Sequence, residues 1–183
     1  MNRIITISRQ FGSGGRTIGR EVAKKLKIPC YDQELIEKVQ TESGFTKEFI
    51  QEHGEEATSG LFGSAFGRDL IWGAQYKIIN RIAEEGPCVI VGRCADYILQ
   101  ERASLLKVFI HADVKKRAER IVKLYGERPV SPEKRLKEKD KRRAAYYRYY
   151  TDWEWGDAKN YDISLDSGTL GIEKCVKIIT DLF

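Results

Sequence analysis

The chain has 183 residues, 42% of them hydrophobic and 32% charged, which is enough apolar surface for one folded domain with a real core and too much for a disordered chain. Its net charge of +5 suits a polyanionic small ligand or nucleic acid without choosing between them. No window approaches the roughly 18 apolar residues of a membrane span, and Ile4 to Ile7 is too short a run for a secretion signal, so the expectation is a cytoplasmic protein with no membrane partner. The cysteines at 30, 88, 94 and 175 contain no C-x-x-C pair, and the expected state is the reduced thiol.

Taken in chain order, Ile4-Ile5-Thr6-Ile7 reads as a strand, and it feeds into Ser8-Arg9-Gln10-Phe11-Gly12-Ser13-Gly14-Gly15-Arg16-Thr17 and then a helical pattern from about Gly15 to Lys27. That is the layout of a phosphate-binding loop: glycines let several backbone N–H groups turn toward one anion, and the helix behind adds the positive end of its dipole. The usual loop has Gly, four residues, Gly, Lys, then Ser or Thr. Here Gly15 stands at the lysine position and Arg9 at the leading glycine. Arg9 or Arg16 is the available replacement cation, since a guanidinium forks well onto phosphate oxygens. The dinucleotide fingerprint fits poorly, because Thr17 fills its third glycine position.

Further strands are expected at Val89-Ile90-Val91, Leu106 to Ile110 and Asp162 to Leu165. Helical patterns lie between them: Gln33 to Gln40, Lys47 to His53, Asp69 to Glu85, Ala112 to Leu124 and Ile172 to Phe183. This alternation predicts an α/β fold, a parallel sheet wrapped by helices. Two segments interrupt the rhythm, from about Tyr31 to Gly86 and from about Gly126 to Asn160. Within the first, Ser59 to Gly67 follows no strand and holds no cation, so it reads as a mobile surface loop with at most a gating role. His53 and His111 have no metal-ligand spacing.

The second interruption is strongly basic. Glu133 to Arg148 carries Lys134, Arg135, Lys137, Lys139, Lys141, Arg142, Arg143 and Arg148 against Glu133, Glu138 and Asp140, and Tyr146-Tyr147-Arg148-Tyr149-Tyr150 overlaps its end. Arginines on a mobile helix can clamp phosphates in a closing site. Cations interleaved with tyrosines equally suit single-stranded nucleic acid, and composition leaves both open.

The run Ile5-Thr6-Ile7-Ser8-Arg9, Phe11-Gly12-Ser13-Gly14-Gly15, Ile18-Gly19, with Pro29, Tyr31-Asp32, Val89-Ile90-Val91-Gly92-Arg93, Ala95-Asp96, Tyr146 to Tyr150, Trp155-Gly156-Asp157 and Asn160-Tyr161-Asp162, resembles the cytidylate kinase-like family. The resemblance spans nearly the whole chain. It implies a P-loop NTPase fold with a five-stranded parallel sheet, in a single domain whose core is about 1–30, 87–125 and 161–183. An acceptor-binding insertion would occupy about 31–86 and an arginine-bearing lid about 126–160.

The implied reaction is phosphoryl transfer from ATP, with Mg2+, to a nucleoside monophosphate, cytidylate-like acceptors foremost. By the resemblance, Arg9, Gly12, Ser13, Gly14, Gly15, Arg16 and Thr17 would bind the donor phosphates, with Thr17 near the magnesium and Arg16 replacing the lysine. Arg142 and Arg143, with Arg135 beside them, would neutralise the phosphoryl group in flight. Arg93 would bind the acceptor phosphate and Asp32 the acceptor or metal. Arg117 and Arg120 would lie near the adenine or form ion pairs on their helix. The other readings are a P-loop kinase of another small acceptor or a weakly active nucleotide sensor, favoured by the missing lysine, and a single-stranded nucleic-acid module, which leaves the glycine loop unexplained.

Overall fold

A computed structural model describes residues 3–32, 35, 38, 41–46, 48–50 and 65–183. Strands β1 (Ile4–Arg9), β2 (Cys30–Tyr31), β3 (Cys88–Val91), β4 (Leu105–His111) and β5 (Ile163–Asp166) form one sheet in the order β2-β3-β1-β4-β5. Every pairing is parallel, and Ile4 sits opposite Cys88 on one side and Leu105 on the other. The expected five-stranded parallel sheet is therefore present.

The central strand is buried along its whole length, as a strand covered on both faces must be. Its side chains divide with period two. Ile5 and Ile7 face helices α1 (Gly15–Leu26) and α7 (Ile172–Asp181), packing with Ile18, Val22, Val176 and Ile179. Ile4 faces the other way, onto α2 (Ala65–Glu85) and α3 (Ala95–Ile98), with Ile71, Ile79, Ile82 and Ile98. The chain leaves β1 toward β2 and β3, then crosses back to β4, so the order reverses at β1. Ligands of such sheets lie beyond the strand ends at that reversal, and the glycine loop occupies that place.

Two further helices, α4 (Val114–Tyr125) and α5 (Pro132–Tyr150), stand over the loop. Each starts at a side-chain cap: Asp113 accepts from the Lys115 amide and Ser131 from that of Lys134. A single turn, α6 (Ser167–Leu170), is capped by Asp166, which accepts from the Gly168 and Thr169 amides.

The expected strands and helices hold to within a few residues, with three differences. The Asp69 to Glu85 pattern begins earlier, at Ala65, so the end of the expected Ser59 to Gly67 loop is helix; the rest of that loop lies outside the described residues. The expected helices at 33–40 and 47–53 lie largely outside them, as does His53. The tyrosine run at 146–150 is the end of α5 itself. None of the four cysteines forms a disulfide, and burial pushes the Cys88 thiol up to about 12.

Candidate active site between the glycine loop and a basic helix

The loop from Gln10 to Gly14 turns by means of positive φ at Gly12 (79°) and Gly14 (83°), which glycine adopts without strain. Space is as tight as the dihedrals. A Cβ on Gly12 would lie 2.9 Å from Cγ2 of Ile121, and one on Gly14 would lie 2.6 Å from Cδ1 of Ile172. Gly14 caps α1 with no side chain of its own, which leaves the first-turn amides pointing out of the helix end toward any anion in front of it. Ser13 is fully buried, its hydroxyl donating to the Gln10 carbonyl at 2.9 Å. Its own carbonyl accepts from the Ser167 hydroxyl at 2.5 Å, so the loop is tied down at the β5 end.

Between this loop, α4 and α5 lies a cleft of about 580 Å³. Its wall includes Gly12, Gly14, Gly15 and Thr17, the arginines at 9, 16, 120, 128, 135, 142 and 143, and Lys139, with Glu138 as its carboxylate. That charge is far beyond what a neutral ligand needs and matches a polyphosphate.

The basic helix is docked on the loop rather than free of it. Asp140 accepts from the Phe11 amide at 2.7 Å through one oxygen and from Arg117 at 2.6 Å through the other. Arg117 also donates to the Phe11 carbonyl at 3.2 Å, so its ion pair runs to the neighbouring helix α5 and not, as expected, along its own helix. Leu136, Ile121 and Ala118 pack together under Phe11. Arg143 is buried, donates to the Arg9 carbonyl at 3.2 Å and lies with its guanidinium 5.8 Å from the Phe11 ring, a cation–π contact. Arg135 donates to the Gly126 carbonyl at 3.2 Å from the cleft wall.

On the other side of the loop, Asp32 is buried at the end of β2 and draws in two arginines from α1, Arg16 at 2.5 Å and Arg20 at 3.7 Å. Arg16, expected to stand in for the lysine, is thus turned partly toward β2. Arg93 does not line the cleft. It is buried at the end of β3, where Gly92, Arg93 and Cys94 take successive positive φ values of 77°, 62° and 54°.

The sequence profile of the cytidylate kinase-like family matches residues 4–169. The chain belongs to that family. An uncharacterized protein from Eubacterium ventriosum has a solved structure 27% identical to this chain, with 98% of this chain and 97% of that one covered at a TM-score of 0.78. Shikimate kinase from Acinetobacter baumannii, in complex with shikimate, shares the fold at 16% identity and a TM-score of 0.58, over 100% and 92% of the two chains. A gluconokinase from Sinorhizobium meliloti does so at 17% and 0.59, over 99% and 93%. No curated protein sequence matches. Family and fold are those of P-loop kinases, and they support phosphoryl transfer as the reaction class.

In this cytidylate kinase-like chain the structure also brings forward residues to which the sequence assigned no role. Asp96, one turn past Arg93, is buried and accepts from the Ser8 hydroxyl at 2.9 Å, the Tyr97 amide at 3.0 Å and the Tyr147 hydroxyl at 3.2 Å. Burial pushes its carboxyl above the usual carboxylate range while these bonds pull it down. Its sequence signals were its place after a strand end and its membership of the Ala95-Asp96 pair in the family resemblance, neither of which assigned it a role. The tyrosine run is largely consumed by packing. Tyr146 and Tyr147 are buried with Cys94, and Tyr150 stacks on Trp72 at 4.3 Å; Tyr149 is 47% exposed. Little of that aromatic surface is left for stacking bases.

Magnesium keeps most of its waters and takes one or two protein oxygens beside substrate phosphates. The cleft wall includes Thr17 and Glu138, and among the described residues no cluster of three or more His, Cys, Asp or Glu forms a dedicated cage. That donor set fits an ion that arrives with a triphosphate. Among the described residues no helix is long and apolar enough to cross a membrane.

Proposed function

We propose that this protein is a cytoplasmic nucleoside monophosphate kinase that uses ATP, with a cytidylate-like monophosphate as the acceptor. The observation that carries the reading is the cleft itself: a glycine loop at a helix start facing a helix with three arginines, Arg135, Arg142 and Arg143, on the cleft wall. The amides of Gly12, Gly14 and Gly15 cradle the donor phosphates, the Ser13 amide donating instead to the Gln10 carbonyl at 3.3 Å, and Arg9, Arg16 and Thr17 complete that side. When bound, Mg2+ supplies charge neutralisation on the outer phosphate oxygens, with Thr17 the residue that would hold it.

An oxygen of the acceptor's phosphate attacks the γ-phosphorus in line. As that bond forms, the bond to the β–γ bridging oxygen breaks, and its electron pair leaves with the nucleoside diphosphate. Charge spreads over three equatorial oxygens in this transition state, and Arg142 and Arg143 meet it from the helix side. Losing one such donor costs about 10²–10³ in kcat. Arg93 receives the acceptor's phosphate at the end of β3, with Asp32 at the end of β2 beside it.

A coupled ATP-consumption assay with Mg2+ and a panel of CMP, dCMP, UMP and AMP tests this. Turnover with a pyrimidine monophosphate is expected. ATP binding with silence across the panel would shift the reading to a kinase of another small acceptor, as shikimate kinase and gluconokinase are on this fold, or to a nucleotide sensor.

A further inference from the structure

Arg9 and Gly15 depart together from the usual phosphate loop, one bringing a cation where a glycine belongs and the other a glycine where a lysine belongs. The structure makes the two departures a single exchange. A Cβ on Gly15 would lie 2.5 Å from Cβ of Arg9 and 2.9 Å from its Cγ. Carbon atoms do not approach so closely, so no side chain, lysine included, has room at 15 while Arg9 holds its place.

A second glycine clears the far end of the same side chain. A Cβ on Gly92 would overlap Nη1 of Arg9 and stand 2.8 Å from its Cζ. Gly92 follows β3, which pairs directly with β1. The stem of Arg9 therefore crosses beneath Gly15, and its guanidinium ends beside the turn that carries Arg93. Arg9 as a residue is 6% exposed and lines the cleft, while Arg143 holds its carbonyl at 3.2 Å. Two glycines from different elements are bare on the path of one buried cation that reaches from the donor loop to the end of β3.

We propose that Arg9 does the chemistry of the missing lysine: its guanidinium meets the phosphoryl group in transit between the donor loop and the Arg93 end of β3. This rests on the kinase reading above. The bond from the acceptor oxygen to phosphorus forms as the one to the β–γ bridging oxygen breaks, the electron pair leaves with the diphosphate, and no co-reactant is needed. Arg9 supplies a fixed charge and a planar pair of N–H donors to the equatorial oxygens. Arg16, the replacement that the family resemblance implied, pairs with Asp32 at 2.5 Å.

Four variants test it: R9M, R9K, G15K and R9G/G15K, each checked for folding by circular dichroism and assayed with the monophosphate that the wild type uses. R9M is expected to lose about 100-fold or more in kcat, and R9K roughly tenfold, because an ammonium does not reproduce a forked contact. G15K has no room for its side chain and is expected to be inactive. R9G/G15K, which returns the lysine to the loop, is expected to exceed R9M by roughly tenfold in kcat. Wild-type kcat within about threefold in R9M, or in R9K if R9M does not fold, overturns the proposal. If the wild type phosphorylates no monophosphate, the acceptor reading has failed and calorimetric affinities decide Arg9 separately. A wild-type preference for Mg·ATP over Mg·ADP that collapses in the folded Arg9 variant supports its role. An unchanged preference, or none in the wild type, overturns it.

Discussion

Three consecutive left-handed residues close β3, and only the first, Gly92, is a glycine. Arg93 and Cys94 hold a conformation that costs an L-residue about 1–2 kcal/mol, and such strain persists where surrounding structure over-determines it. R93G separates the side chain from the backbone. It removes the guanidinium while relaxing the φ of 62°, and circular dichroism on the variant separates loss of the side chain from loss of the fold. Acceptor kcat/KM should fall about 100-fold, and steady-state kinetics checks it; retained turnover would remove Arg93 from the site. Asp96, beside it, makes a different prediction. Its folded carboxyl is raised by burial, so the folded state holds the proton more tightly than the unfolded state, whose value is near ~3.9. The stability it contributes is full below that value and is lost as pH rises through the folded one. The stability of wild type relative to D96N should therefore fall with rising pH across that window, and a pH-independent difference in thermal melts would refute this.

At the scale of elements, the decisive contact joins α5 to the loop. Asp140 holds the Phe11 amide and Arg117 at once, and Arg117 is buried. Removing its charge leaves a buried cation short of its partner, which costs about 1–3 kcal/mol. D140A should lower the urea midpoint accordingly and raise KM for ATP, because the loop loses the bond that sets Phe11; an unchanged KM would mean that α5 and the loop are independent. In the sequence, Asp140 was one acid in a basic run, with pairing to a neighbour on its own helix as its ordinary role. The helix was expected from its basic composition. Which of its faces meets the loop was not, because charged residues lie all round it and no apolar stripe marks one side.

Across the whole molecule, the sheet places the loop, Asp32 and Arg93 at the carboxyl ends of β1, β2 and β3, and α4 and α5 cover the loop. A ligand bound there bridges sheet and covering helices and stabilises the folded state alone. Mg·ATP at one hundred times its Kd is expected to add about 2.7 kcal/mol. For a domain of this size that raises Tm by roughly 5–10 °C. A thermal shift assay reads it directly, and R142A should shift less at the same ATP concentration. No shift at saturating ATP would contradict the donor site.

The sequence by itself determined the strand-to-loop-to-helix unit at Ile4 to Leu26, the α/β class and the basic helix, while the fifth strand and the family came from the resemblance its motifs carry. These depend on periodicity and spacing within a few residues, where burial on one face leaves a repeating trace. The tertiary structure alone decided which cation goes where. Asp140 reaches Phe11 across 129 positions and Arg143 reaches Arg9 across 134, and Gly15 and Gly92 share one arginine although they lie on different elements. Arg16 was the nearest cation to the vacant lysine position along the chain, yet it is held by Asp32. Proximity in sequence ranks residues by backbone distance, whereas phosphate chemistry depends on where a guanidinium ends, and packing against other elements sets that.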